Sequence, residues 1–265
     1  MNAWAEDLIA EEGPLLVVTG AGVSVASGLP VFRGVEPNAV WNRDVTELGT
    51  LRYFQEDPAG SWRFYLERFD ALLGTTPNAA HRAIAALETW KLERGQSFLL
   101  VTQNIDRLHD AAGSQNLIEV HGRADRMRCE LQGCEHGAPR GSLPRGDDEF
   151  DAFRKEHKES QLPRCPSCRE LLRPHVLWFD ERYDGHRDYR IDEALRAAKR
   201  ARSVLFVGTS FSVGATEAIL QTGLQRNAQL YLIDPSGRSP HPRIRVAAQP
   251  AEVALPALVN ELTNA

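Results

Sequence analysis

The four cysteines of this chain lie in one segment and form two pairs. Cys129 and Cys134 are spaced C-x4-C, and Cys165 and Cys168 are spaced C-x2-C. Two such pairs supply four thiolates, the donor set of a closed, tetrahedral zinc site. His136 could replace one thiolate, and four free thiols are the other alternative. We predict one structural zinc ion on the four cysteines, holding together a segment that has few apolar residues of its own.

A glycine turn follows the first apolar run of the chain, residues 15–18, which has the composition of a buried parallel strand. Gly20 and Gly22 flank Ala21, and glycine lets the backbone turn tightly and approach a ligand. A strand, a glycine turn and a short helix form an anion site of the kind that holds a pyrophosphate. Val25 replaces the third glycine of the usual G-x-G-x-x-G pattern, so an ordinary strand-to-helix turn is the alternative.

Polar side chains also follow the second and third apolar runs. Gln103, Asn104 and Asp106 come directly after residues 98–101, at the sheet edge where α/β folds bind ligands. Helix capping is the alternative role for Asn104 or Asp106. His121 follows the third run, and taken alone it could be a satisfied structural histidine. The pattern predicts a ligand site at these strand ends.

The fourth and fifth apolar runs, residues 204–207 and 230–233, end in the same way. Gly208, Thr209 and Ser210 repeat the glycine turn with hydroxyl groups added. Asp234 ends the fifth run, a common position for an acid that binds a ribose diol.

Helical patterns separate these runs. They cover residues 45–73, 79–92, 215–224 and 252–262. Strands that alternate with helices predict an α/β fold with a doubly wound parallel sheet. We expect a single domain, 1–265, in which a Rossmann-like lobe spans approximately 1–42, 75–125 and 173–265, and a small lobe arises from insertions at approximately 43–74 and 126–172. The charged insert at 144–160 is predicted to be a solvated loop or a short exposed helix.

Composition excludes several functional classes. The net charge of −5 gives no general attraction to nucleic acid or to an anionic membrane, and no apolar run approaches the length of a membrane span. The acidic N-terminus lacks the basic region of a secretory signal. The four cysteines lie in one segment and nothing suggests an oxidising compartment, so we expect a reducing cytoplasm.

Taken together, these motifs resemble the sirtuins, which are NAD-dependent protein-lysine deacylases. The resemblance rests on GAGVSVASGLPVFR, TQNIDRLH, VHG at 120–122, the paired cysteines, RPHVLWFDE and VGTS, with AEVALPALV near the end. It implies a Rossmann-like domain, a small lobe with one structural zinc, and NAD and acylated-lysine proteins as substrates. The implied NAD site comprises Gly20, Ala21, Gly22, Phe32, Arg33, Gln103, Asn104, Ile105, Asp106, Gly208, Thr209, Ser210, Asp234 and Ala251.

The resemblance also implies residue roles. Asn104 and Asp106 would shape the nicotinamide pocket, with His121 as the general base and Asn104 as the second catalytic residue. Tyr65 and Arg68 have the Y-x-x-R spacing of sirtuins that remove succinyl and malonyl groups. A buried tyrosine and a solvated arginine are the alternative. The resemblance also places Val176 and Phe179 in the substrate site.

The chain departs from the family pattern at Asp180, where F-G-E is usual and F-D-E stands here. The segment normally pairs with the substrate peptide, so an added carboxylate puts ordinary peptide binding in doubt. This departure leaves open a mono-ADP-ribosyltransferase or an NAD-hydrolysing or NAD-sensing module. The presence of His121 and Asn104 favours a deacylase that removes acetyl and also succinyl or malonyl groups. Nothing in the sequence specifies an oligomeric state.

Overall fold

The computed structural model describes residues 12–30 and 44–263. Six parallel strands form its large sheet: β1 (Leu15–Thr19), β2 (Phe98–Thr102), β3 (Leu117–Glu119), β7 (Ser203–Val207), β8 (Gln229–Ile233) and β9 (Ile244–Ala247). Their order is β3-β2-β1-β7-β8-β9, the doubly wound order of dinucleotide-binding folds, which confirms the predicted fold class. Thr19 lies opposite both Thr102 and Val207, so the three central strands end at one level.

Helices cover both faces of this sheet. They are α4 (Ala79–Glu93) and α9 (Ala251–Thr263) on one face, and α7 (Ile191–Arg200) and α8 (Gly214–Gln225) on the other. The strands are apolar along nearly their whole length because both faces are buried. The helices predicted at 79–92, 215–224 and 252–262 and the five predicted strands agree with these elements, whereas α7 and β9 were not predicted.

A second sheet is antiparallel and was not predicted. It consists of β4 (Gly122–Cys129), β5 (Leu143–Pro144) and β6 (Leu172–Val176) in the order β5-β4-β6. Beside it lies a core built from Trp62, Phe150 and Phe153, all fully buried, together with Cys129 and Cys165. The boundaries proposed for the two lobes stay a prediction.

The single helical segment predicted over 45–73 is wrong in detail. The structure has three helices there: α1 (Asp44–Leu48), α2 (Leu51–Glu56) and α3 (Pro58–Asp70). Thr50 caps α2, since its hydroxyl accepts the Tyr53 N–H at 3.1 Å. Asp57 caps α3 by accepting the Gly60 N–H at 2.8 Å, and Pro58 occupies the first turn, where no N–H partner is needed.

The charged insert contains a short helix, as one of its two predicted forms had it, but two of its side chains are buried and not solvated. The helix of the insert is α6 (Asp151–Glu156). A separate short helix, α5 (Leu108–Ala111), lies earlier in the chain, after β2. Phe150 and Phe153 anchor the insert in the aromatic core, where the Phe150 ring lies 4.5 Å from that of Trp62. Within the described residues, no helix is both long and apolar enough to cross a membrane.

Candidate active site

One cavity of about 580 Å³ lies at the carboxyl ends of the central strands. Its wall combines the turns after β1 and β2 with one face of α3 and the segment that follows β6. The predicted site residues that line it are Ala21, Tyr65, Arg68, Gln103, Asn104, Ile105, Asp106, His121, Val176 and Phe179. The topology therefore brings together residues that are more than 150 positions apart in the chain.

His121 lies at the junction of β3 and β4, held between two partners. Its Nδ1 is 2.9 Å from the carbonyl oxygen of Gln103, which can only accept, so Nδ1 carries the proton. Nε2 is then the lone-pair nitrogen, and it lies 2.9 Å from the hydroxyl of Tyr183. Burial lowers the pKa of His121 to about 4, against the opposing effect of the Gln103 carbonyl. At pH 7 the ring is neutral, the state that a general base requires.

Asn104 and Asp106 are joined through Ser24. The Ser24 hydroxyl donates to the Asp106 carboxylate at 2.7 Å and accepts from the Asn104 amide at 3.1 Å. Asn104 also donates to the carbonyl of Gly20 at 3.2 Å, which ties the second turn to the first. Arg107 is the N-cap residue of α5, and Asp106, which precedes it, accepts the N–H of Leu108 at 3.0 Å, so a contact with the start of the helix and a position in the cavity wall coexist.

Behind this cluster lies His81 on α4. Its Nδ1 accepts the N–H of Asn78 at 3.3 Å, and its Nε2 faces the Ser24 hydroxyl at 3.4 Å. Burial lowers the pKa of His81 to about 4. A neutral His81 with its proton on Nε2 can donate to Ser24, which leaves the serine proton for Asp106.

The two glycine turns meet in space. The Gly22 N–H donates to the carbonyl of Gly208 at 2.9 Å, and a Cβ on Gly22 would lie 2.6 Å from the Gly208 Cα. Gly208 itself has φ +55°, and a Cβ there would lie 2.5 Å from the Val23 nitrogen. Only glycine permits this approach, which produces a cradle of bare backbone beside the cavity. That cradle fits the pyrophosphate of NAD.

Four further predicted NAD-site residues lie outside the cavity wall: Thr209, Ser210, Asp234 and Ala251. Thr209 is buried and accepts from the Gln103 amide at 3.1 Å, whereas Ser210 is exposed and bonds the Ser212 hydroxyl at 2.7 Å. Asp234 follows β8 and accepts from the Ser236 hydroxyl at 2.6 Å. Ala251 begins α9 and is buried. Phe32 and Arg33 lie outside the described residues.

Tyr65 and Arg68 line the cavity from α3. Tyr65 is buried against Phe69 and Trp178, with ring centroids 5.6 and 6.2 Å away, and burial raises the pKa of its phenol. Arg68 is half-buried, which lowers the pKa of its guanidinium. Its Nη1 donates to the carbonyl of Phe64 at 2.8 Å while the guanidinium stacks 3.4 Å from the Phe64 ring. This arrangement holds the planar, positively charged guanidinium of Arg68 at the cavity wall.

The segment after β6 is fixed by a buried carboxylate. Glu181 accepts from Arg128 at 2.7 Å, from Arg173 at 2.6 and 2.9 Å, and from the Trp178 N–H at 3.0 Å. Asp180 points elsewhere: its carboxylate accepts the N–H groups of Leu51 and Arg52 at 2.7 and 3.1 Å. The unusual acid is therefore a second cap of α2.

The four cysteine sulfurs lie close together. The Sγ of Cys129 is 3.4 Å from that of Cys168, and the Sγ of Cys134 is 3.7 Å from those of Cys165 and Cys168. Tetrahedral zinc with sulfurs at about 2.3 Å spaces them about 3.8 Å apart. The group fits one structural zinc ion, and His136 is not part of it.

A comparison with protein families matches residues 20–215 to the Sir2 family. The chain belongs to the Sir2 family. It is similar to NAD-dependent protein deacylase 1 of Pseudomonas aeruginosa, with 37% identity over 255 residues that cover 96% of each chain. It is also similar to the NAD-dependent protein deacetylase of Sulfurisphaera tokodaii, with 36% identity over 86% of this chain and 82% of that protein.

Solved Sir2 structures share the fold. A Sir2 homologue variant in complex with ADP-ribose matches with a TM-score of 0.82 and 31% identity, covering 100% of this chain and 97% of that one. A Sir2 homologue–NAD complex matches at 0.79 and 32% identity, covering 98% and 94%. A Sir2–p53 peptide–NAD+ complex matches at 0.77 and 26% identity over the whole of both chains.

Several residues that line this Sir2 cavity were not predicted as site residues, among them Ser24, Trp178 and Tyr183. Ser24 stands inside the GAGVSVASGLPVFR motif, but no role was predicted for it. Trp178 stands inside RPHVLWFDE, but no role was predicted for it. Tyr183 carries no signal in the sequence, because its role depends on a loop that returns to His121.

A second group of metal-ligand types in this Sir2 chain consists of His175, His186 and Asp188. His186 uses both ring nitrogens, donating to the carbonyl of Gly141 at 3.0 Å and accepting the Asp188 N–H at 3.2 Å. The Nε2 of His175 lies 3.2 Å from the Asp188 carboxylate. Burial lowers the pKa of both histidines, so two neutral rings pack here, His175 facing the carboxylate of Asp188 and His186 accepting its backbone N–H, as parts of the structure.

Proposed function

We propose that this Sir2 chain is an NAD-dependent protein-lysine deacylase that removes acetyl groups and, through Tyr65 and Arg68, succinyl and malonyl groups. The products are the free lysine, nicotinamide and O-acyl-ADP-ribose. The proposal rests above all on one observation: the cavity at the strand ends joins a neutral His121, the Asn104 cluster and the Tyr65–Arg68 pair beside a glycine cradle. Its relatives' printed names, NAD-dependent protein deacylase and deacetylase, support the same reaction class.

NAD would supply a ribose carbon that the acyl oxygen of the modified lysine attacks as nicotinamide leaves. A step of this kind, with a cation-like transition state, depends on position and a dry pocket more than on a strong nucleophile. Asn104 would shape the nicotinamide end, because its amide is fixed by both Gly20 and Ser24. Asp106 would orient water or the carboxamide from the same cluster.

His121 would act next as the general base. Its neutral ring presents the Nε2 lone pair while Nδ1–H stays on the Gln103 carbonyl. Nε2 would take the proton of a ribose hydroxyl, whose oxygen then attacks the acyl carbon. The low pKa favours the unprotonated ring throughout the neutral range.

The acyl preference follows from charge at the cavity wall. A succinyl or malonyl tail ends in a carboxylate, and the planar fork of Arg68 can bind it through two parallel hydrogen bonds. The Tyr65 phenol stays protonated because burial raises its pKa, so it can donate a further bond. Val176 and Phe179 would form the apolar part of the same wall.

The alternative functions, ADP-ribosyl transfer and NAD hydrolysis or sensing, were left open because Asp180 adds a carboxylate near the peptide site. That carboxylate is turned to the start of α2 and accepts two backbone N–H groups there. It therefore offers no new group for an ADP-ribose acceptor, and we favour the deacylase.

The test compares acyl groups on one lysine peptide. Wild-type chain, Arg68→Met and the control Arg63→Met are incubated with NAD and with acetyl- or succinyl-lysine peptide, and products are followed by mass spectrometry. Arg63 is an exposed residue on the same helix and outside the cavity wall, so it controls for the loss of one positive charge. Methionine keeps an unbranched apolar side chain at this position while it removes the guanidinium.

Losing a charge-assisted pair costs roughly 1.5–3 kcal/mol, on the order of ten- to a hundredfold in kcat/KM. We expect Arg68→Met to lose that factor for succinyl-lysine and to keep acetyl-lysine activity, while Arg63→Met keeps both. If the wild type ignores succinyl-lysine, or Arg68→Met lowers both activities equally, the pair is structural and the acyl assignment is wrong.

A further inference from the structure

Tyr183 contacts three separate parts of the active site. It stands in a short 3-10 helix (Tyr183–Gly185), two residues beyond Glu181. Its ring stacks on His121 with centroids 5.7 Å apart and planes 30° from parallel. Its hydroxyl lies 2.9 Å from the His121 Nε2 and 3.4 Å from the N–H of Ala215 in the first turn of α8. The tyrosine thus links the substrate segment, the base and the helix after the Gly208 turn.

The direction of each hydrogen bond follows from its partners. The Ala215 N–H can only donate, so the tyrosine oxygen accepts from it. The Gln103 carbonyl fixes the proton of His121 on Nδ1, so Nε2 can only accept. The Tyr183 hydroxyl must therefore donate its proton to Nε2. In this arrangement the lone pair that would serve as the base is already occupied.

We propose that Tyr183 is a positioning residue that latches His121: its hydroxyl occupies Nε2 and holds the ring until a ribose hydroxyl of the bound substrate replaces it there. The identity of the displacing hydroxyl rests on the proposed function. The latch contact itself rests only on the geometry of Tyr183, His121 and Ala215. Because Tyr183 follows the Phe179–Glu181 segment so closely, docking of an acyl-lysine against that segment is the event that would release it.

The charged groups around His121 do not supply an alternative partner for Nε2. The cavity wall contributes Glu67 and Arg68 from α3, Asp106 from the turn after β2, and Glu181 from the segment after β6. Asp106 is engaged by Ser24 and the Leu108 N–H, and Glu181 by its two arginines. Among the described residues, the hydrogen-bond partner of Nε2 is Tyr183.

The first measurement needs no substrate. A hydrogen bond donated to Nε2 stabilises the neutral ring, so removing it with Tyr183→Phe should raise the pKa of His121 by about half to one unit. NMR titration of histidine-labelled protein reports this pKa, and the missing signal of His121→Asn assigns the resonance among the eight histidines. Tyr53→Phe is the control, because that hydroxyl lies on α2, outside the cavity wall, 3.4 Å from Asp57.

The second measurement follows deacylation against pH. In Tyr183→Phe the Nε2 of His121 is free of the tyrosine hydroxyl, so the substrate does not have to displace that hydroxyl before His121 acts. We therefore expect kcat/KM at neutral pH to rise about two- to tenfold. The acid limb of the profile should move to higher pH together with the pKa of His121, since protonation inactivates the base. Tyr53→Phe should change neither quantity.

The outcomes separate the latch from other roles. An unchanged pKa of His121 in Tyr183→Phe overturns the proposal, and so does a loss of kcat/KM of tenfold or more at every pH, which would make the hydroxyl a proton relay or a fold determinant. A chain without deacylase activity in which the pKa still rises would support the latch contact and overturn only the proposed function.

Discussion

Glu181 holds the segment that lines the cavity after β6, and replacing it with glutamine tests how that segment is fixed. Its carboxylate accepts four hydrogen bonds, two of them from a bidentate contact with Arg173 and one from Arg128. Both arginines are almost completely buried, at 3% and 4% exposure, and the Glu181 side chain is 15% exposed. Glu181→Gln keeps the shape but removes the charge and places an amide N–H₂ against guanidinium donors.

The expected cost is that of a buried ion pair with one partner removed. Breaking such a pair typically costs about 3–5 kcal/mol, because the remaining charge stays buried. Arg128 keeps the Tyr189 hydroxyl at 2.8 Å and Arg173 keeps the Val176 carbonyl at 3.2 Å, which places the cost toward the lower end of that range. For a chain of this size, the melting temperature should fall by roughly 6–12 °C.

Thermal unfolding followed by calorimetry, with urea unfolding beside it, measures this loss. Glu193→Gln is the matched control, because its ion pair with Arg190 leaves both side chains 42% exposed. An exposed pair contributes about 0–1 kcal/mol, so the control should melt within about 4 °C of the wild type. The reasoning is refuted if Glu181→Gln loses no more stability than the control.

The same prediction carries a pH dependence. Burial acts to raise the pKa of Glu181, but Arg173 and Arg128 outweigh it and hold the pKa below its usual value. The contribution is therefore fully present above the ordinary carboxyl pKa of about 4.3 and is lost as pH falls through the lowered value. The stability gap between wild type and Glu181→Gln should shrink as the pH drops below 4.

Three further predictions concern the metal, the base and the unusual acid. Metal analysis of freshly purified protein should give one zinc per chain, and Cys165→Ala should lose it and unfold the aromatic core it shares with Phe153; protein free of zinc would contradict the site. His121→Ala should lower turnover about 10²–10⁴-fold while NAD binding, followed by calorimetry, stays largely intact; full activity would exclude His121 as the base. Asp180→Gly should cost about 1 kcal/mol in urea unfolding, because it removes a cap of α2; an unchanged stability would show that Thr50 caps that helix alone.

The positions of the strand ends could be predicted because the cause is local. Each apolar run of the large sheet is buried on both faces, so hydrophobicity alone marks it. Parallel strands in register then bring the polar residues after β1, β2 and β7 to one edge, as at Thr19 and Thr102. The resemblance to the sirtuins indicated which of these residues are functional. Those roles stay predictions until the variants are measured.

The rest depends on contacts between distant residues. Asp180 caps a helix that begins 129 positions earlier, and no local pattern records that contact. Phe150 and Phe153 stand among charged residues, so the insert appeared solvated, yet both rings complete the core around Trp62. Tyr183 reaches His121 across 62 positions, from a 3-10 helix of three residues that is too short to leave a periodic pattern in the sequence.

The central claim is tested most directly by the stoichiometry of products. Wild-type chain is incubated with NAD and an acyl-lysine peptide, and deacylated peptide, nicotinamide and O-acyl-ADP-ribose are quantified together by mass spectrometry, with His121→Ala in parallel. A deacylase gives the three products in equal amounts, and the variant gives almost none. Nicotinamide released without deacylated peptide, or ADP-ribose found attached to protein, would contradict the account.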